Sequence, residues 1–568
     1  MYINEVNNPR DLASLLGIEY SYLTYILYHK RPEKSYILFD IPKRSGEKRT
    51  INAPIPPLKY VQRRLADVLW DYELYLRNIT GVDSKISHAF EKDKSIFTNA
   101  FIHKHKKYII NIDLKDYFNC FHFGRVKGFF IKNRNYQLPD SVATIIAQLT
   151  CYNGCLPQGA PTSPIISNLI SNILDMKLLR VAKQYKLDYT RYADDLTFST
   201  NDKRIIEKFD SFLECVNEIV EKSGFSININ KTRFQYYSSR QIVTGLVVNK
   251  KLNINSHYFR ATKAMAFSLY TKGEFFIGSE KGNIPQLEGR FSFINQIDKY
   301  NNKLACKKEK RTYRNLNNRE EQYRRFLFFK YFYNNSKPLI VTEGKTDVVY
   351  IKAALKNLYA DYPELVYKKD GCLRYKISFL KRSNLLEYLF GFGKDGADAM
   401  KNLYNFFAGK NGFKNYHQYF QKYSNHKAHN PVIFVFDNEL NNSQKPLKNF
   451  ISHVNLKPDQ TDKFIKNHFI SIEKDSNLFL LTHQLVCEKN ECEIEDLFEK
   501  ELTEMKLNGK EFDRSGKKDN NKFYSKEIFS RYVMSHYQEI NFEQFKPMLE
   551  TIKAVIISYK KQTNDNPI

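Results

Sequence analysis

Acidic residues are scarce in this 568-residue chain, where 62 Asp and Glu stand against 89 Lys and Arg and leave a net charge of +27. Excess positive charge on a folded chain predicts a polyanionic partner, and 39 Tyr and 43 Phe supply rings that can stack on bases. An AT-rich genome, which favours Lys, Asn, Tyr, Phe and Ile codons, explains much of this composition. It explains the charge imbalance less well, so nucleic acid is the predicted partner.

Complete zinc or disulfide patterns and long apolar runs are also missing. Cys151 and Cys155 form one close pair and Cys487 and Cys492 another, but neither is followed by a second matched pair or a histidine at zinc spacing. The first 16 residues are polar, unlike a signal peptide, and no apolar run reaches 18 residues. We therefore expect a cytoplasmic protein with reduced thiols and no membrane partner.

The N-terminal region alternates between predicted helices and a basic hairpin. Residues 11–30 and 58–76 carry the apolar stripes of helices, and a chain of this length predicts two to four domains. Residues 38–57 read as two short strands around a glycine turn with four basic side chains, among them Lys43 and Arg49. Such a hairpin can close over a triphosphate, and a solvated surface hairpin fits the same residues.

Two adjacent acids, Asp194 and Asp195, stand between runs of β-forming residues in the segment 189–199. The pattern predicts strand, tight turn, strand, although an isolated pair of this kind is more often a solvated turn. A third acid, Asp113, closes an apolar strand within residues 108–118, where burying a carboxylate is costly. Clustered carboxylates repel unless a cation neutralises them, and Mg²⁺ prefers carboxylates together with waters and substrate phosphates.

Three further elements surround these acids in the sequence. Asp116 is predicted to cap a short helix that begins at Tyr117. The Gly- and Pro-rich segment 156–164 predicts a rigid loop that brings its backbone and Gln158 close to a planar ligand before a helix over 165–179. A helix over 205–223 follows the acid pair.

The order and spacing of these elements resemble the palm and fingers of reverse transcriptases over roughly residues 35–300. Asp113 matches motif A of that family, residues 156–159 match motif B, 192–195 match motif C and Lys231 matches motif D. A single motif of this kind is weak, whereas four in the right order are specific. The resemblance implies an α+β right-hand polymerase with fingers, palm and thumb.

The same resemblance implies a role for individual residues. Asp113 and Asp194 would jointly hold two Mg²⁺ for in-line nucleotidyl transfer, with Asp195 assisting. Phe118 lies where the family places the aromatic ring that excludes a ribose 2′-OH, which implies dNTPs as substrates. The remaining residues implied at the nucleotide are Lys43 and Arg49 on the triphosphate, Gln158 near the incoming nucleotide, and Lys231 in proton transfer.

A narrower resemblance is to retron reverse transcriptases, which carry an Asn-Ala-x-x-His element before motif A and a Val-Thr-Gly element after motif D. These elements are residues 99–103 and 243–245 here, although a lone histidine is usually structural. The resemblance implies copying of a structured noncoding RNA from an internal guanosine 2′-OH, which yields a branched RNA–DNA product, msDNA. The residues it assigns to RNA binding are Asn99, His103, Val243, Thr244 and Gly245.

The second half of the chain contains two buried strands that end in acids. Residues 337–343 end at Glu343, and residues 431–439 end at Asp437 and Glu439, which point the same way on an extended chain and can share a metal. The pair resembles the TOPRIM fold, with its strand-Glu-Gly motif and later Asp-x-Asp, except that Glu439 replaces the second Asp. Asp347, four residues after Glu343, is similar to the OLD-like nuclease branch of TOPRIM.

This resemblance implies an α/β TOPRIM domain that cleaves a nucleic-acid substrate with one or two Mg²⁺. Glu343, Asp437 and Glu439 would be catalytic and Asp347 a further metal ligand. Whether Glu493, Glu495 or Asp496 adds a ligand stays open, because an ordinary helix start fits them as well. Weaker candidates for substrate contacts are the Gly-rich segment 391–396 and Lys517, Lys518 and Lys522.

The predicted domain order is a reverse transcriptase over 1–300, a basic linker with a connecting helix over 301–335, and a TOPRIM nuclease over 336–568. Fingers and palm extend to about residue 250, the thumb covers about 251–300, and the part after about Lys500 is predicted to be helical. We interpret the chain as a retron protein of anti-phage defence, in which the RNA–DNA hybrid restrains the nuclease as in a toxin–antitoxin pair.

Two alternatives stay open at this point. The TOPRIM half could be inactive and only scaffold the hybrid, or the whole chain could be a mobile-element polymerase without a role in defence. The sequence also leaves the oligomeric state open, including assembly of several copies.

Overall fold

The computed structural model describes residues 1–42, 46, 48–81, 86–306, 308, 310–393, 397–514, 519 and 521–564. Two compact units divide the chain, Met1–Asn255 and Ser256–Ile568. Each unit contains its own central β-sheet. Within the described ranges, no helix is long and apolar enough to cross a membrane.

In its described ranges, the first unit combines eight strands with eight α-helices. The strands are β1 (Tyr36–Pro42), β2 (Lys48–Pro54), β3 (Tyr108–Asp113), β4 (Asp188–Tyr192), β5 (Asp195–Thr200), β6 (Arg233–Tyr236), β7 (Ile242–Val243) and β8 (Leu246–Val247). The helices are α1 (Pro9–Leu15), α2 (Tyr20–Thr24), α3 (Pro56–Thr80), α4 (Ile96–Ile102), α5 (Phe123–Lys132), α6 (Asp140–Thr150), α7 (Ser163–Gln184) and α8 (Phe209–Lys222).

An antiparallel four-stranded sheet in the order β4-β5-β3-β6 carries the predicted polymerase acids. Strands β3 and β5 are buried along nearly their whole length, and their Ile110, Ile112, Leu196 and Phe198 belong to the core of this unit. The predicted basic hairpin forms as β1 and β2, which pair antiparallel from Tyr36↔Pro54 to Pro42↔Lys48. The predicted strands of this unit therefore form, and they position the acids.

Two local predictions in the first unit are wrong. The helix expected over 11–30 is broken at Gly17, which has φ +64°, and continues as α2 and a π-helix, Tyr25–Lys30. Asp116 stands at the N-cap position of a 3₁₀-helix, Tyr117–Cys120, but its side chain makes no capping hydrogen bond. Its φ of +47° explains this, because an N-cap side chain reaches the helix from an extended backbone.

The second unit contains eleven strands and twelve α-helices among its described residues. The strands are β9 (Phe276–Ile277), β10 (Glu280–Lys281), β11 (Leu339–Thr342), β12 (Val366–Lys369), β13 (Cys372–Tyr375), β14 (Ser378–Phe379), β15 (Val432–Phe436), β16 (Phe469–Ser471), β17 (Leu478–Thr482), β18 (Glu511–Asp513) and β19 (Phe523–Ser525). The helices are α9 (Ser256–Lys272), α10 (Ile284–Leu304), α11 (Asn318–Phe328), α12 (Lys345–Asn357), α13 (Asn384–Phe390), α14 (Ala397–Ala408), α15 (Tyr416–Tyr423), α16 (Pro446–Val454), α17 (Pro458–Asn467), α18 (Lys500–Thr503), α19 (Lys526–Ser535) and α20 (Lys546–Asn564).

A five-stranded sheet, ordered β14-β11-β15-β17-β16, divides the second unit into layers. Its strands run parallel except β16. Alternate side chains of β15 enter different cores, Phe434 and Phe436 on one face and Ile433 and Val435 on the other. Since both faces are covered, the strands are continuous apolar runs, as expected for a buried parallel sheet.

The segment predicted as the thumb belongs to the second compact unit. Leu269 of α9 and Phe291 of α10 share a core with Phe326 of α11 and with Phe434 of the sheet. The expectation of a purely helical region after about Lys500 is wrong, because β18 and β19 form a parallel pair in front of α19. These two strands are only three residues long, which is too short for a period-2 pattern to identify.

Two candidate catalytic sites

Strand pairing brings the three acids of the first unit together. Asp113 at the end of β3 is the cross-strand partner of Asp195 at the start of β5. Asp194 lies in the turn between β4 and β5, and its carbonyl accepts a hydrogen bond from the backbone N–H of Leu114 at 2.9 Å. The register of the sheet, and not the flexibility of side chains, therefore fixes the position of all three carboxylates.

One lysine bonds directly to this group of acids. Lys231 donates to both carboxylate oxygens of Asp113 at 3.0 and 3.2 Å, and the side-chain amide of Asn228 donates to Oδ1 at 3.1 Å. Burial, together with the charge of Asp113, raises the pKa of Asp194. Burial and the charges of Asp194 and Asp113 raise the pKa of Asp195 to about 7. A divalent cation at this edge would relieve the repulsion, and carboxylates are the ligands that Mg²⁺ prefers.

Sequence reasoning missed the buried ion pair beneath the turn. Arg191 of β4 is completely buried, and its Nε and Nη2 each donate to Asp175 of α7 at 2.9 Å. Its Nη1 donates to the carbonyl of Ala193, the turn residue before Asp194, at 3.3 Å. An arginine between aromatic and β-branched residues of β4 was the available signal, but its acidic partner lies on another element.

The hairpin and the Gly/Pro loop meet on one side of the polymerase acids. The N–H of Asn52 in β2 donates to the carbonyl of Gln158 at 2.8 Å. The next residue, Gly159, has φ +120°, and a Cβ there would lie 2.7 Å from the Ile51 side chain and 2.9 Å from the Asn52 carbonyl. Only glycine permits this approach. Arg49 is close enough to Asp194 to lower the pKa of that acid, against the larger effect of burial.

The other residues predicted to contact the nucleotide differ in how far they are exposed. Phe118 is half-buried and packs edge-on against Tyr117, with ring centroids 5.3 Å apart. Lys231 is 61% exposed, so it can reach a bound nucleotide as well as Asp113. Lys43 lies outside the described residues.

The second retron-like element bonds to the start of the helix that carries the first, and half of the side chains in the two elements face the protein interior. Thr244 donates to the carbonyl of Ile96, the first residue of α4, at 3.3 Å. His103 is completely buried, and its ring nitrogens lie 2.7 Å from the hydroxyls of Ser199 and Thr190 in the strands that hold the acids. Burial lowers the pKa of His103 to about 3, so it is neutral at physiological pH.

Three of these side chains are buried in the structure, and direct contact between them and RNA stays a prediction. Asn99, His103 and Val243 have no exposed surface, because α4 packs on the catalytic sheet and on β8. Thr244 is half-buried and Gly245 is exposed, so RNA contact there stays a prediction. In the structure, the His103 ring connects β4 and β5 through its contacts with the hydroxyls of Thr190 and Ser199.

In the second unit the predicted acids also lie at the carboxyl ends of neighbouring parallel strands. Glu343 follows β11, and Asp437 and Glu439 follow β15, which pairs with β11. Asp437 Oδ1 accepts the backbone N–H of Ile494 at 2.9 Å. Asp347 Oδ2 accepts the backbone N–H of Gly344 at 2.8 Å, at the start of α12.

Burial and the charges of neighbouring acids raise the pKa values in this cluster, as they do in the first unit. Burial, followed by the charges of Asp437, Asp347 and Glu439, raises the pKa of Glu343 to about 8. Burial and the charge of Asp437 raise the pKa of Asp347 to about 6, and burial also raises that of Glu439. The buried Oε2 of Glu343 has no hydrogen-bond partner within the described part of the chain. A cation would supply the missing partner.

The acids near residue 495, which the sequence left open, now separate by position. Glu495 is completely buried, and burial with the charges of Asp437 and Asp347 raises its pKa to about 7. Lys526 of α19 donates to Glu493 and Glu495 at 3.1 Å each. Asp496 instead pairs with Lys489 and Arg514. Glu495 thus belongs to the acidic cluster and Asp496 does not, and Lys526 is a member that the sequence did not indicate.

Neither cluster is a finished metal site as it stands. Across the described ranges, no three carboxylate, imidazole or thiolate groups are close enough to form a ready cation-binding set. Lysines bond to the acids instead: Lys231 to Asp113, Lys445 to Glu439, and Lys526 to Glu495. The donor types suit Mg²⁺, and binding would bring the oxygens closer together. The expected substrate lysines Lys517 and Lys518 and the segment 394–396 lie outside the described residues.

Known proteins resemble the first part of the chain. Residues 41–259 match the family described as reverse transcriptase (RNA-dependent DNA polymerase). The retron Mx162 reverse transcriptase of Myxococcus xanthus is 33% identical over 329 residues, covering 52% of this chain and 65% of the relative. The retron Ec86 reverse transcriptase of Escherichia coli is 33% identical over 298 residues, covering 52% of this chain and 85% of the relative.

The extent of these matches differs between relatives. The chain spans just under two thirds of the Mx162 protein and most of the Ec86 protein. Among solved structures, a telomerase from Candida albicans aligns over 41% of this chain and 50% of the other with 14% identity. Its TM-score of 0.30 is too low to support a conclusion about the fold.

Replacing Arg191 by Met is expected to destabilise the first unit by about 3–5 kcal/mol, because Asp175 then keeps an uncompensated buried charge. The measurement is the urea dependence of unfolding. Arg204→Met is the matched control, since the pair of Arg204 with Asp202 is exposed and solvent-exposed ion pairs contribute little to stability. Adding Asp175→Leu to Arg191→Met should recover much of the loss, and equal losses in Arg191→Met and Arg204→Met would contradict this role of the pair.

In the metal-free protein, the contribution of the two acid clusters to stability is expected to fall as the pH rises from about 4 to about 8. Folded-state pKa values of about 7 for Asp195 and about 8 for Glu343 lie above the ordinary 3.8 and 4.5. These two carboxyl groups therefore bind more protons in the folded chain than in the unfolded chain in this window, so their contribution to stability falls as they ionise.

Saturating Mg²⁺ should remove most of this loss, because the cation neutralises the ionised carboxylates. The measurement is the unfolding midpoint in EDTA and in Mg²⁺ at about pH 5.5 and about pH 8.5. Asp195→Asn should show a smaller loss in EDTA than the unaltered protein. The same pH dependence in all three cases would contradict the interpretation.

Proposed function

Because the chain belongs to the retron reverse transcriptases, we propose that its first unit is an RNA-directed DNA polymerase that copies a structured noncoding RNA from dNTPs. The observation that carries the proposal is the pairing of Asp113 with Asp195 across β3 and β5, with Asp194 in the adjoining turn. The matched relatives support it, since their names describe retron reverse transcriptases.

The residues around these acids have distinct parts in nucleotidyl transfer. Asp113, Asp194 and Asp195 would hold two Mg²⁺, which supply charge stabilisation and activation of the attacking hydroxyl. Arg49 faces the same acids and suits the triphosphate. Lys231 carries a proton beside Asp113 that can pass to the leaving pyrophosphate. This division matches what in-line phosphoryl transfer requires, positioning and charge neutralisation.

Two further residues act on the nucleotide itself. Gln158 is fixed by the contact of its loop with β2 and lies near the base of the incoming nucleotide. Phe118 presents a half-buried ring to the sugar and selects dNTPs by excluding a 2′-OH. Thr244 and Gly245 are the accessible members of the retron elements for RNA contact. The product in this proposal is msDNA, primed from a guanosine 2′-OH of the RNA.

For the second unit we propose a TOPRIM nuclease of the OLD-like branch, occupying the region after residue 336. Glu343 at the end of β11 and Asp437 and Glu439 after β15 support it, since ligand sites of open α/β sheets lie at the carboxyl ends of strands. Asp347 would complete the site for one or two Mg²⁺. The substrate is a nucleic acid, DNA or RNA.

The joint function we propose is anti-phage defence in the cytoplasm, with the RNA–DNA hybrid restraining the nuclease until infection disturbs it. A second candidate is an inactive second unit that scaffolds the hybrid. The lysines bonded to Glu439 and Glu495 favour that candidate, because they already neutralise part of the cluster. The two candidates differ in whether Glu343 is required for toxicity.

Asp194→Ala is expected to abolish the DNA product, whereas Glu343→Ala should leave DNA synthesis intact and remove toxicity. The first change removes a metal-binding carboxylate of the polymerase, and the second acts only on the acidic cluster of the other unit. Radiolabelled dNTP incorporation and growth on induction measure the two effects. Asp116→Asn is the control, since this exposed side chain makes no capping bond and should leave both unchanged. Undiminished toxicity in Glu343→Ala would refute the nuclease assignment.

Phe118→Ala is expected to relax sugar selection, because removing the ring opens space for a 2′-OH. The preference for dNTP over rNTP, measured as the ratio of kcat/KM values, should fall on the order of 100-fold. Phe90→Ala is the matched control, since this exposed ring lies 6.4 Å from that of Phe118 and its loss leaves the Phe118 ring in place. An unchanged ratio in Phe118→Ala, or an equal fall in both variants, would contradict the role of Phe118.

A further inference from the structure

A cavity of about 660 Å³ opens in the first unit between α5, α7 and the end of α8. It opens to solvent, and its size suits a small ligand or one to two nucleotides. The lining contains five cationic side chains and no carboxylate. We call it the cationic pocket and define it by its cations, Arg125, Lys132, Arg134, Lys177 and Lys222.

Two of these cations, Arg125 and Lys222, already have partners within the protein. Arg125 donates to the carbonyls of Ser223 and Gly224 at 2.8 and 3.3 Å and lies over the Phe225 ring. Lys222 is 74% exposed and pairs with Glu218 on the surface of α8.

The remaining three cations have no acidic counterpart in the described part of the chain. No carboxylate there lies within ion-pair distance of Lys132, Arg134 or Lys177, and all three side chains are exposed. Lys177 reaches only the hydroxyl of Ser223, at 3.3 Å. Like charges around one cavity repel, and an anion that bridges them relieves part of that repulsion.

The floor of the cationic pocket is apolar. Phe129, Ile170 and Leu174 are buried there, while Ile173 is 51% exposed and faces solvent. An exposed apolar surface surrounded by cations is complementary to a nucleotide, which combines an anionic phosphate with a flat, weakly polar base. An inorganic anion alone would leave the Ile173 side chain exposed to solvent.

The cationic pocket is separate from the polymerase site. None of Asp113, Asp194, Asp195, Arg49 and Gln158 lines it. Its elements, α5, α7 and α8, also differ from those that carry the retron-like residues 99–103 and 243–245. A nucleic-acid strand held here would therefore be bound in addition to the strand at the polymerase acids.

We propose that the cationic pocket binds an unpaired nucleotide of the noncoding RNA, with Lys132, Arg134 and Lys177 on its phosphates and Ile173 against its base. The inference rests on the proposed function, because it takes the template RNA as the bound polyanion. RNA is chosen over its DNA copy because the RNA must be held before synthesis begins, when no DNA exists.

The test compares a triple variant, Lys132→Ala, Arg134→Ala and Lys177→Ala, with a matched triple variant, Lys183→Ala, Lys203→Ala and Lys208→Ala. The matched lysines are exposed and lie in the same unit outside the cationic pocket. Replacing them removes the same charge. The readout is binding of the full-length protein to the cognate noncoding RNA without dNTPs, at several salt concentrations.

The plot of log K against log salt concentration has a negative slope. Loss of three phosphate contacts should make that slope less steep by about 2 to 3 in the pocket variant. Its affinity at about 0.15 M salt should fall on the order of tenfold or more, and that of the matched variant much less. Ile173→Glu should weaken binding as well, whereas Ile206→Glu, at a similarly exposed isoleucine, should not.

DNA synthesis on poly(rA)/oligo(dT) separates this inference from the proposed function. The unaltered protein and the pocket variant should extend this primer equally, because the polymerase acids are intact in both. No extension by the unaltered protein would overturn the proposed function. Normal extension with unchanged RNA binding in the pocket variant would overturn the inference alone, as would a binding loss seen only with single-stranded DNA or an acidic peptide.

Discussion

Repulsion between buried carboxylates is the constraint on which both candidate sites depend. In each unit the backbone hydrogen bonds of a sheet hold several acids at one edge, where burial and mutual charge raise their pKa values. Nothing in the side chains favours this arrangement, because carboxylates in water stay apart. The free energy of folding of the surrounding core holds the carboxylates together against their repulsion. Because a cation relieves this repulsion, each site has an affinity for a cation.

The two sheets meet this constraint in different ways. The polymerase acids lie on antiparallel strands, and the buried pair of Arg191 with Asp175 supports the turn from below. The acids of the second unit follow parallel strands that are covered on both faces by apolar layers. In both cases a lysine bonds to the cluster, Lys231 in one and Lys526 in the other, so that positive charge is already close by. Lysine and cation would then compete for the same carboxylate oxygens.

Strong local patterns explain what could be predicted from the sequence. The strand ending in Asp113, the acid turn and the strands before Glu343 and Asp437 are apolar runs with abrupt acidic ends, and each formed as expected. What failed depends on tertiary contacts. The partner of Arg191 is on α7, Lys526 lies 31 residues from Glu495, and no periodicity connects them. The burial of His103 is likewise set by tertiary packing, since a motif shows residue type but not burial.

Counting the divalent cations bound by each chain tests the central claim, two independent carboxylate sites, most directly. Mn²⁺ can be titrated by electron paramagnetic resonance into the unaltered protein, Asp113→Asn, Glu343→Gln and the double variant. The account predicts that each single change removes a separate set of bound ions and that the double variant loses the sum of both. A count that neither substitution lowers, or one that falls to zero with either alone, would contradict it.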